Sequence, residues 1–398
     1  MCSISGIFSP SDLVKKIDLM IDSQKHRAPD SEGVFFDKDI SIGMGRLKII
    51  DLKSKNLNPI LGKRHVLAYN GEIYNYKELK SELIQLGHKF STKSDSEVLL
   101  KCWEQWGTKL FRKLNGMYAF SIFDKLKRKL YLARDIPGEK PLYYYFNGKD
   151  FIFSSEAKAI KKIVNLKLNN DKSFFNSFQY CLESTLWKNL KQVKPANYVS
   201  FDLRKKKIIT NEYWTLNRKK IYKNEIQEEL EYLLKDSLRI RLRSDVKLGI
   251  YYSGGVDSSL LNKLHNFDYK FHFDDSKNYL NDFKKKIGKI VHHLDFPVGS
   301  LSSYPLYTLA SRAKKKVKVV ISGEGADELF GGYVRYLPIS INYQLNKKFP
   351  SYRLMFERIN FKNYCEVYTK IILKNNNYKL GEKLFKPIFE MFDDPINA

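Results

Sequence analysis

Short runs of β-branched and aromatic residues, each closed by a polar break, dominate the first 160 residues of the chain. SISGIF, GVFF, ISIGMGRLKIID, HVLAYNGEIYN, MYAFSIFD, KLYLARD and FIFSSE predict strands. Two segments with mixed apolar positions, 75–86 after the NGE turn and one running from Ser94-Asp95 through Trp103, predict helices. Two sheets flanked by helices fit this pattern. A polar, basic stretch at 202–223 separates it from a predicted helix at 225–241, after which apolar VKLGIYY runs into SGGVDSS. A second β-rich run at 317–333, VKVVISGEGADELFGGY, also ends in a Gly-rich acidic loop, and 337–392 reads as helical with many aromatics.

With 398 residues, 43% of them hydrophobic, the chain is long enough for two domains with separate cores. No apolar stretch approaches ~18 residues and no charged-then-apolar leader is visible, so neither membrane spanning nor secretion is indicated. The four cysteines, Cys2, Cys102, Cys181 and Cys365, are far apart and lack CxxC spacing. That argues against a structural zinc site or a disulfide framework and fits a reducing cytoplasm. The formal charge of +26 permits binding to nucleic acid or an acidic surface. Yet lysines are spread from end to end, and runs such as 314–316 are short and lead into an apolar strand. The charge reads as a solvated Lys-rich surface, and no nucleic-acid partner is expected.

Residue 2 is where candidate chemistry begins. If Met1 is trimmed, Cys2 carries an α-amine of pKa near ~8 beside a thiol of pKa near ~8.5, so one residue supplies both nucleophile and base. Read alone, Cys2 is better explained as a small buried apolar residue. Asn70-Gly71 read alone is a hairpin turn, and Arg46 and Asp95 read alone are surface charges.

Several motifs in register change this reading. MCSISGIF, HRAPDSEG, GRLKIID, YNGEIYN, TKSDSEV and GMYAFSIFD occur in the order seen in class II glutamine amidotransferase domains, and residues 2–160 resemble those of the asparagine synthetases. The resemblance implies that Cys2 attacks the glutamine amide and that Asn70 and Gly71 stabilise the oxyanion, through a side-chain amide and a backbone N–H. It makes Arg46 and Asp95 clamps for the substrate α-carboxylate and α-amino group, and it assigns Arg46, Leu47, Lys48, Ile49 and Ile50, with Asn70, Gly71 and Glu72, to the glutamine pocket. One departure is that Ala28 stands where the family commonly has Gly, which predicts strain of roughly 1 kcal/mol if that turn needs positive φ.

In the second half, an apolar strand that stops at a Ser/Gly loop and opens a helix presents free N–H groups to an anion. The loop lacks Gly-Lys-Ser/Thr and GxGxxG spacing, so it is neither Walker A nor a dinucleotide fingerprint. SGGVDSS resembles the pyrophosphate loop of N-type ATP pyrophosphatases, and 317–333 resembles the second nucleotide segment of the asparagine synthetases. Carried over, the ATP contacts are Ser253, Gly254, Gly255, Asp257, Ser258, Ser322 and Gly323, with Tyr252 and Phe271 on the adenine side. Asp257 and Asp327 would hold Mg²⁺, and Glu324 corresponds to the acidic residue implicated in forming β-aspartyl-AMP. Two such loops at the carboxyl ends of parallel strands would place their ligand in the crevice between them.

The family's Gly in the strand near 272 is replaced by His272, which predicts a narrower adenosine pocket. His292-His293, if on a strand, point apart, so a structural role is expected for them. No segment like the family's C-terminal aspartate and Lys motifs is found, which leaves the 206–398 half apparently short. The expected fold is therefore α/β, with an N-terminal-nucleophile αββα sandwich over 2–205 and a parallel-sheet ATP-pyrophosphatase-like domain over 206–398. The expected reaction is cytoplasmic, glutamine-dependent asparagine synthesis with glutamine, aspartate and ATP, a homodimer being left open. Two rivals are an amidotransferase acting on another carboxylate, told apart by which acceptor provokes pyrophosphate release, and a catalytically incomplete basic binding protein, told apart by steeply salt-dependent nucleic-acid binding.

Overall fold

Strand β1 (Ser3–Phe8) is buried along its whole length because it carries apolar side chains to both of its faces. Ile4 and Phe8 enter one core and Ile7 another, the alternation that a strand imposes. The computed structural model describes residues 1–10, 12–55, 57–169, 183–216, 226–273, 279–295 and 302–332. It falls into two compact units, Met1–Ser322 and Gly323–Ala398, each described by itself. Cys181, Cys365 and the helical expectation for 337–392 lie outside the described residues.

Around β1 run β2 (Ser31–Asp37), β3 (Ile40–Arg46), β8 (Tyr143–Phe146), β9 (Phe151–Ser154) and β10 (Leu190–Gln192). They form a six-stranded sheet in the order β10-β8-β9-β1-β3-β2, antiparallel at every pairing. A second antiparallel sheet contains β4 (Ile60–Leu61), β5 (His65–Ile73), β6 (Gly116–Asp124), β7 (Lys129–Arg134), β11 (Asn197–Asp202) and β12 (Lys207–Glu212), in the order β12-β11-β7-β6-β5-β4. Helices α1 (Leu13–Asp22) and α4 (Ala157–Lys161) cover the first sheet, and α3 (Asp95–Trp106) covers the second with α2 (Tyr76–Gln85) against it. The layering is αββα, as expected. Phe151 and Phe201 stack across the two sheets at 4.3 Å, with Phe8 edge-on at 5.5 Å. Each of these buried rings contributes about 2–3 kcal/mol of transfer free energy.

Still within Met1–Ser322, the later residues form α5 (Ile226–Arg241), β13 (Leu248–Tyr251), α6 (Val256–Leu264), β14 (Tyr269–Phe271), α7 (Tyr279–Leu294), α8 (Ser303–Ala313) and β15 (Val319–Ile321). The three strands are parallel, in the order β14-β13-β15, over a small core of Leu238, Ile250 and Phe267. Parallel pairing puts the ends of all three strands on one edge, the arrangement expected of a ligand-binding α/β layer. In Gly323–Ala398 the described part contains α9 (Ala326–Phe330). Among the described residues no helix is long and apolar enough to cross a membrane.

Four local expectations change. Asn70-Gly71 is not a turn but lies within β5, paired with Ala119 and Tyr118 of β6. Ala28 is not among the residues at positive φ, so the anticipated strain does not arise. Part of the 202–223 separator is β12, which completes the second sheet beside β11. His292 and His293 sit on α7 rather than on a strand, and His293 packs against His26 at 5.0 Å.

Candidate functional site

The strand expected over ISIGMGRLKIID stops at Arg46 because the chain there folds back over that side chain. The buried guanidinium donates to the carbonyl oxygens of Ile50 at 2.9 Å, Asp51 at 3.0 Å and Ser54 at 3.3 Å. The loop so formed aims the Leu47 N–H at Cys2 Sγ, 3.4 Å away. Arg27 Nε donates to the Cys2 carbonyl at 3.1 Å, so Cys2 is held at both its thiol and its backbone. Burial pushes the thiol pKa up, while the Leu47 N–H and the nearby chain-terminal amine pull it back. The amine, carried by Met1, is brought down to about 5, chiefly by burial and further by Arg27 and Lys140, against the pull of the Cys2 thiolate. The Met1 amine is therefore neutral at pH 7 and able to accept a proton.

On β5, Tyr69 reaches Asp95 at the start of α3, so strand alternation turns Asn70 to the opposite face, that of the first sheet. Asn70 is 1% exposed, yet among the described residues neither its Nδ2 nor its Oδ1 has a partner. A buried amide without partners is costly unless something else is to occupy the space. Gly71 supplies a second donor. Tyr118, opposite it on β6, gives its N–H to Asp135 at 3.0 Å and takes the Asp135 N–H on its carbonyl at 2.8 Å. The Gly71–Tyr118 pair is therefore a non-hydrogen-bonded one, and the Gly71 N–H points away from β6. On that side β4 pairs only with Val66 and Leu67, and Tyr69 and Ile73 send their N–H groups the same way, to Met44 Sδ and Asp95 Oδ2. Only glycine fits here, since a Cβ would lie 2.1 Å from the Met117 carbonyl.

Asp95 opens α3, where Ser94 caps the helix by accepting the Ser96 N–H. Three residues on, Glu97 takes the N–H groups of Ser91 and Thr92 and so holds the turn that presents Asp95. Its Oδ2 accepts from Tyr69 Oη at 2.8 Å and from the Ile73 N–H at 3.1 Å, while Oδ1 lies 3.5 and 3.4 Å from the Ser94 and Ser96 hydroxyls. Burial raises the Asp95 pKa against these donors, and it raises that of Glu72 well above the usual range, with the Asp95 charge adding to the effect. Glu72 Oε2 has no partner. Cys2, the chain-terminal amine, Glu72 and Asp95 lie within electrostatic reach of one another, a grouping suited to acyl transfer from an amide that carries an ammonium group.

The expected nucleotide loop joins β13 to α6. Gly254 takes φ +80°, and the loop is tied to itself: Gly255 N–H and Ser258 Oγ both meet Ser253 Oγ, at 3.2 and 3.1 Å. Ser258 is buried, and Ser253, Gly254 and Gly255 are exposed. Asp257 lies in the first turn of α6. Tyr252 packs edge-on against His272 at 5.0 Å, so the bulky substitute for glycine covers the tyrosine ring. Phe271 lies over Gly249 and stacks on Tyr269. Ser322 follows β15 at the same edge. Gly323, Glu324 and Asp327 belong to the second unit, where the Gly323 carbonyl accepts the Ala326 N–H at 3.2 Å and Glu324 is exposed.

Three functional neighbours were not singled out by the sequence reading. Arg27 stood inside a quoted motif without a role. Tyr69 was legible only as the residue before Asn70, and Lys140, 8% exposed with its pKa lowered by burial, was visible only as a lone cation in IPGEKPLYYY.

Comparison with known proteins places the two halves separately. A family described as a glutamine amidotransferase domain matches residues 1–214, and one described as asparagine synthase matches 229–272 and 277–387. A Methanocaldococcus jannaschii protein provisionally named asparagine synthetase [glutamine-hydrolyzing] 2 is 36% identical over 396 residues, covering 85% of this chain and 76% of that protein. Asparagine synthetase [glutamine-hydrolyzing] 1 of Bacillus subtilis is 35% identical over 388 residues, 86% of this chain and 60% of that one. Asparagine synthetase [glutamine-hydrolyzing] 3 of the same organism is 28% identical, with 67% of its length spanned.

Proposed function

Because the chain belongs to the family of glutamine-hydrolysing asparagine synthetases, ATP-dependent ligases that take their nitrogen from glutamine, we propose that it makes asparagine with the residues placed above. Residues 2–205 would release ammonia from glutamine and 206–398 would activate aspartate. The family matches pause between 214 and 229, which supports dividing the two activities in this part of the chain.

With Met1 removed, the Cys2 amine takes the thiol proton and the thiolate adds to the side-chain carbonyl of glutamine. Asn70 Nδ2 and the Gly71 N–H receive the oxyanion. The amine returns the proton to the leaving nitrogen, ammonia departs, and water cleaves the thioester to give glutamate. Asp95 Oδ1 and Glu72 face the substrate ammonium, and the guanidinium of Arg46, with donors beyond the three its loop uses, takes the carboxylate.

In the second half, the β-carboxylate of aspartate displaces pyrophosphate from the α-phosphorus of ATP, and ammonia then displaces AMP. Ser253, Gly254, Gly255 and Ser258 would cradle the departing pyrophosphate, Ser322 and Gly323 would contact the nucleotide beside Tyr252 and Phe271, and Glu324 would serve the adenylation step. The carboxylates of Asp257 and Asp327 have no hydrogen-bond partner among the described residues, which suits a hard cation. Mg²⁺ held by them would offset the charge of the pyrophosphate.

The observation that carries this reading is Asn70, an amide buried with both of its polar atoms unmatched. The test measures glutamate, and pyrophosphate with ATP, Mg²⁺ and aspartate, using glutamine or ammonia as donor. Cys2→Ala should abolish glutamine hydrolysis and keep the ammonia-dependent reaction, and Asp327→Ala should lose pyrophosphate release with either donor. If aspartate does not increase pyrophosphate release by the wild type, the assignment of the acceptor is wrong.

A further inference from the structure

The loop at 47–51, taken here as part of the glutamine pocket, is held from two sides. From within the first half, Cys2 Sγ takes the Leu47 N–H and Arg46 takes the carbonyls of Ile50 and Asp51. From outside, Asp245 gives its N–H to the Ile49 carbonyl at 3.1 Å and accepts the Asp51 N–H on Oδ2 at 2.8 Å. Lys318 Nζ lies 3.5 Å from the Lys48 carbonyl and 2.6 Å from Asp30 Oδ2, which accepts the Lys48 N–H at 2.7 Å. Every residue from 47 to 51 thus has a backbone group pinned, two of them by Asp245. Asp245 stands three residues before β13 and Lys318 one residue before β15, neighbouring parallel strands. The loop after β13 is the nucleotide loop.

We propose that Asp245 and Lys318 are positioning residues for glutamine: they touch no substrate, but they fix the loop that does, so the glutamine site is complete only with residues of the 206–398 half. The inference rests on reading 47–51 as glutamine-binding. A loop pinned on the inner side alone retains the Leu47 N–H beside Cys2 but loses the outer restraint on Lys48, Ile49 and Asp51. The cost should therefore appear in binding rather than in the chemical step.

The test is steady-state glutamine hydrolysis by the full chain carrying Asp245→Ala, Asp245→Asn or Lys318→Ala, with ammonia-dependent pyrophosphate release measured in parallel. Asp245→Ala removes the acceptor for the Asp51 N–H and should raise KM for glutamine about five- to tenfold, the net scale of one ordinary hydrogen bond, with kcat within about twofold. Asp245→Asn keeps an oxygen for that N–H and should restore KM to near the wild-type value, while Lys318→Ala should raise it. The ammonia-dependent reaction should be unchanged in all three. An unchanged KM in Asp245→Ala, or a loss in Asp245→Asn as large as in Asp245→Ala, would overturn the inference while leaving the glutamine site intact. Absence of glutamine hydrolysis by the wild type would instead overturn the reading of the pocket itself.

Discussion

Replacing Glu156 by Gln would remove the centre of a buried ionic cluster behind the nucleophile. Glu156 follows β9, its side chain is 5% exposed, and Oε1 accepts from Arg27 Nη1 and from His26 Nε2, each at 3.0 Å. Oε2 accepts from Lys158 Nζ at 2.6 Å, and Lys158 also reaches Asp295 at 3.3 Å. Burial alone would raise this carboxyl, but His26, Arg27 and Lys158 outweigh it and bring the pKa from 4.5 to about 2. A lowered acid stabilises the fold above its unfolded pKa, and that contribution is lost as pH falls toward the folded one. At about 1.4 kcal/mol per unit, the charged form is worth about 3 kcal/mol at pH 7, of which about 1.4 kcal/mol has gone by pH 3.5. Asp295, raised by burial, works in the opposite direction, so the difference between wild type and Glu156→Gln is what isolates Glu156. Trp103, Trp106 and Trp187 precede residue 206, and Trp214 follows β12 of the second antiparallel sheet, so tryptophan fluorescence during denaturation reports this region. The expected result is that Glu156→Gln lowers stability by about 3 kcal/mol at pH 7, in line with breaking a buried pair, and that the gap narrows by about 1.4 kcal/mol at pH 3.5. Parallel stability profiles for the two proteins across that range would refute the reasoning.

Asn70→Ala should lower kcat for glutamine hydrolysis by about 10²- to 10³-fold without lowering the denaturation midpoint, since its amide atoms have no partner to lose; an equal loss of stability would show the amide to be structural. Gly71→Ala should cost about 2–3 kcal/mol in the same fluorescence assay, because the new Cβ meets the Met117 carbonyl at 2.1 Å and β5 and β6 must part. Glutamine binding to Cys2→Ala should release protons, because an entering ammonium favours the charged forms of Glu72 and Asp95, both raised by burial. Calorimetry in buffers of different ionisation enthalpy would read that release, and a binding heat independent of buffer would exclude it.

The αββα half was legible because its signals are local: apolar runs closed by polar breaks, a helix opening at Ser94-Asp95, and a cysteine next to the first residue. Asn70-Gly71 was misjudged by local rules, since Asn-Gly favours a hairpin whereas β6 and the close Met117 carbonyl draw both residues into a strand. Motif register, not propensity, singled them out. Lys140, Arg27 and Tyr69 were harder to see, because what makes each matter is a partner brought close by sheet packing: Arg27 and Glu156 are 129 residues apart in sequence, and Tyr69 and Asp95 are 26 apart. The β13–α6 loop was recognisable from its own residues, whereas Asp245 and Lys318 carry no motif that announces what they dock against.

These distant partners converge on one residue. The Cys2 thiol faces the Leu47 N–H, and the loop carrying Leu47 is gripped by Asp245 and Lys318. The Cys2 carbonyl is held by Arg27, which is bound to Glu156, which shares Lys158 with Asp295 at the end of α7. Two separate chains of contacts therefore run from the nucleophile to residues beyond 206, one ending in the polypeptide before β13 and β15 and the other at the end of α7. The two chains differ in how they resist perturbation. Asp245 is exposed and Lys318 is 38% exposed, so water can replace part of what either provides and its loss should loosen substrate binding. Glu156, Lys158 and Asp295 are all about a tenth exposed or less, so removing Glu156, which strands the buried charge of Arg27, should cost stability first. Measured side by side, Asp245→Ala should therefore move KM with little change in the denaturation midpoint, and Glu156→Gln should move the midpoint.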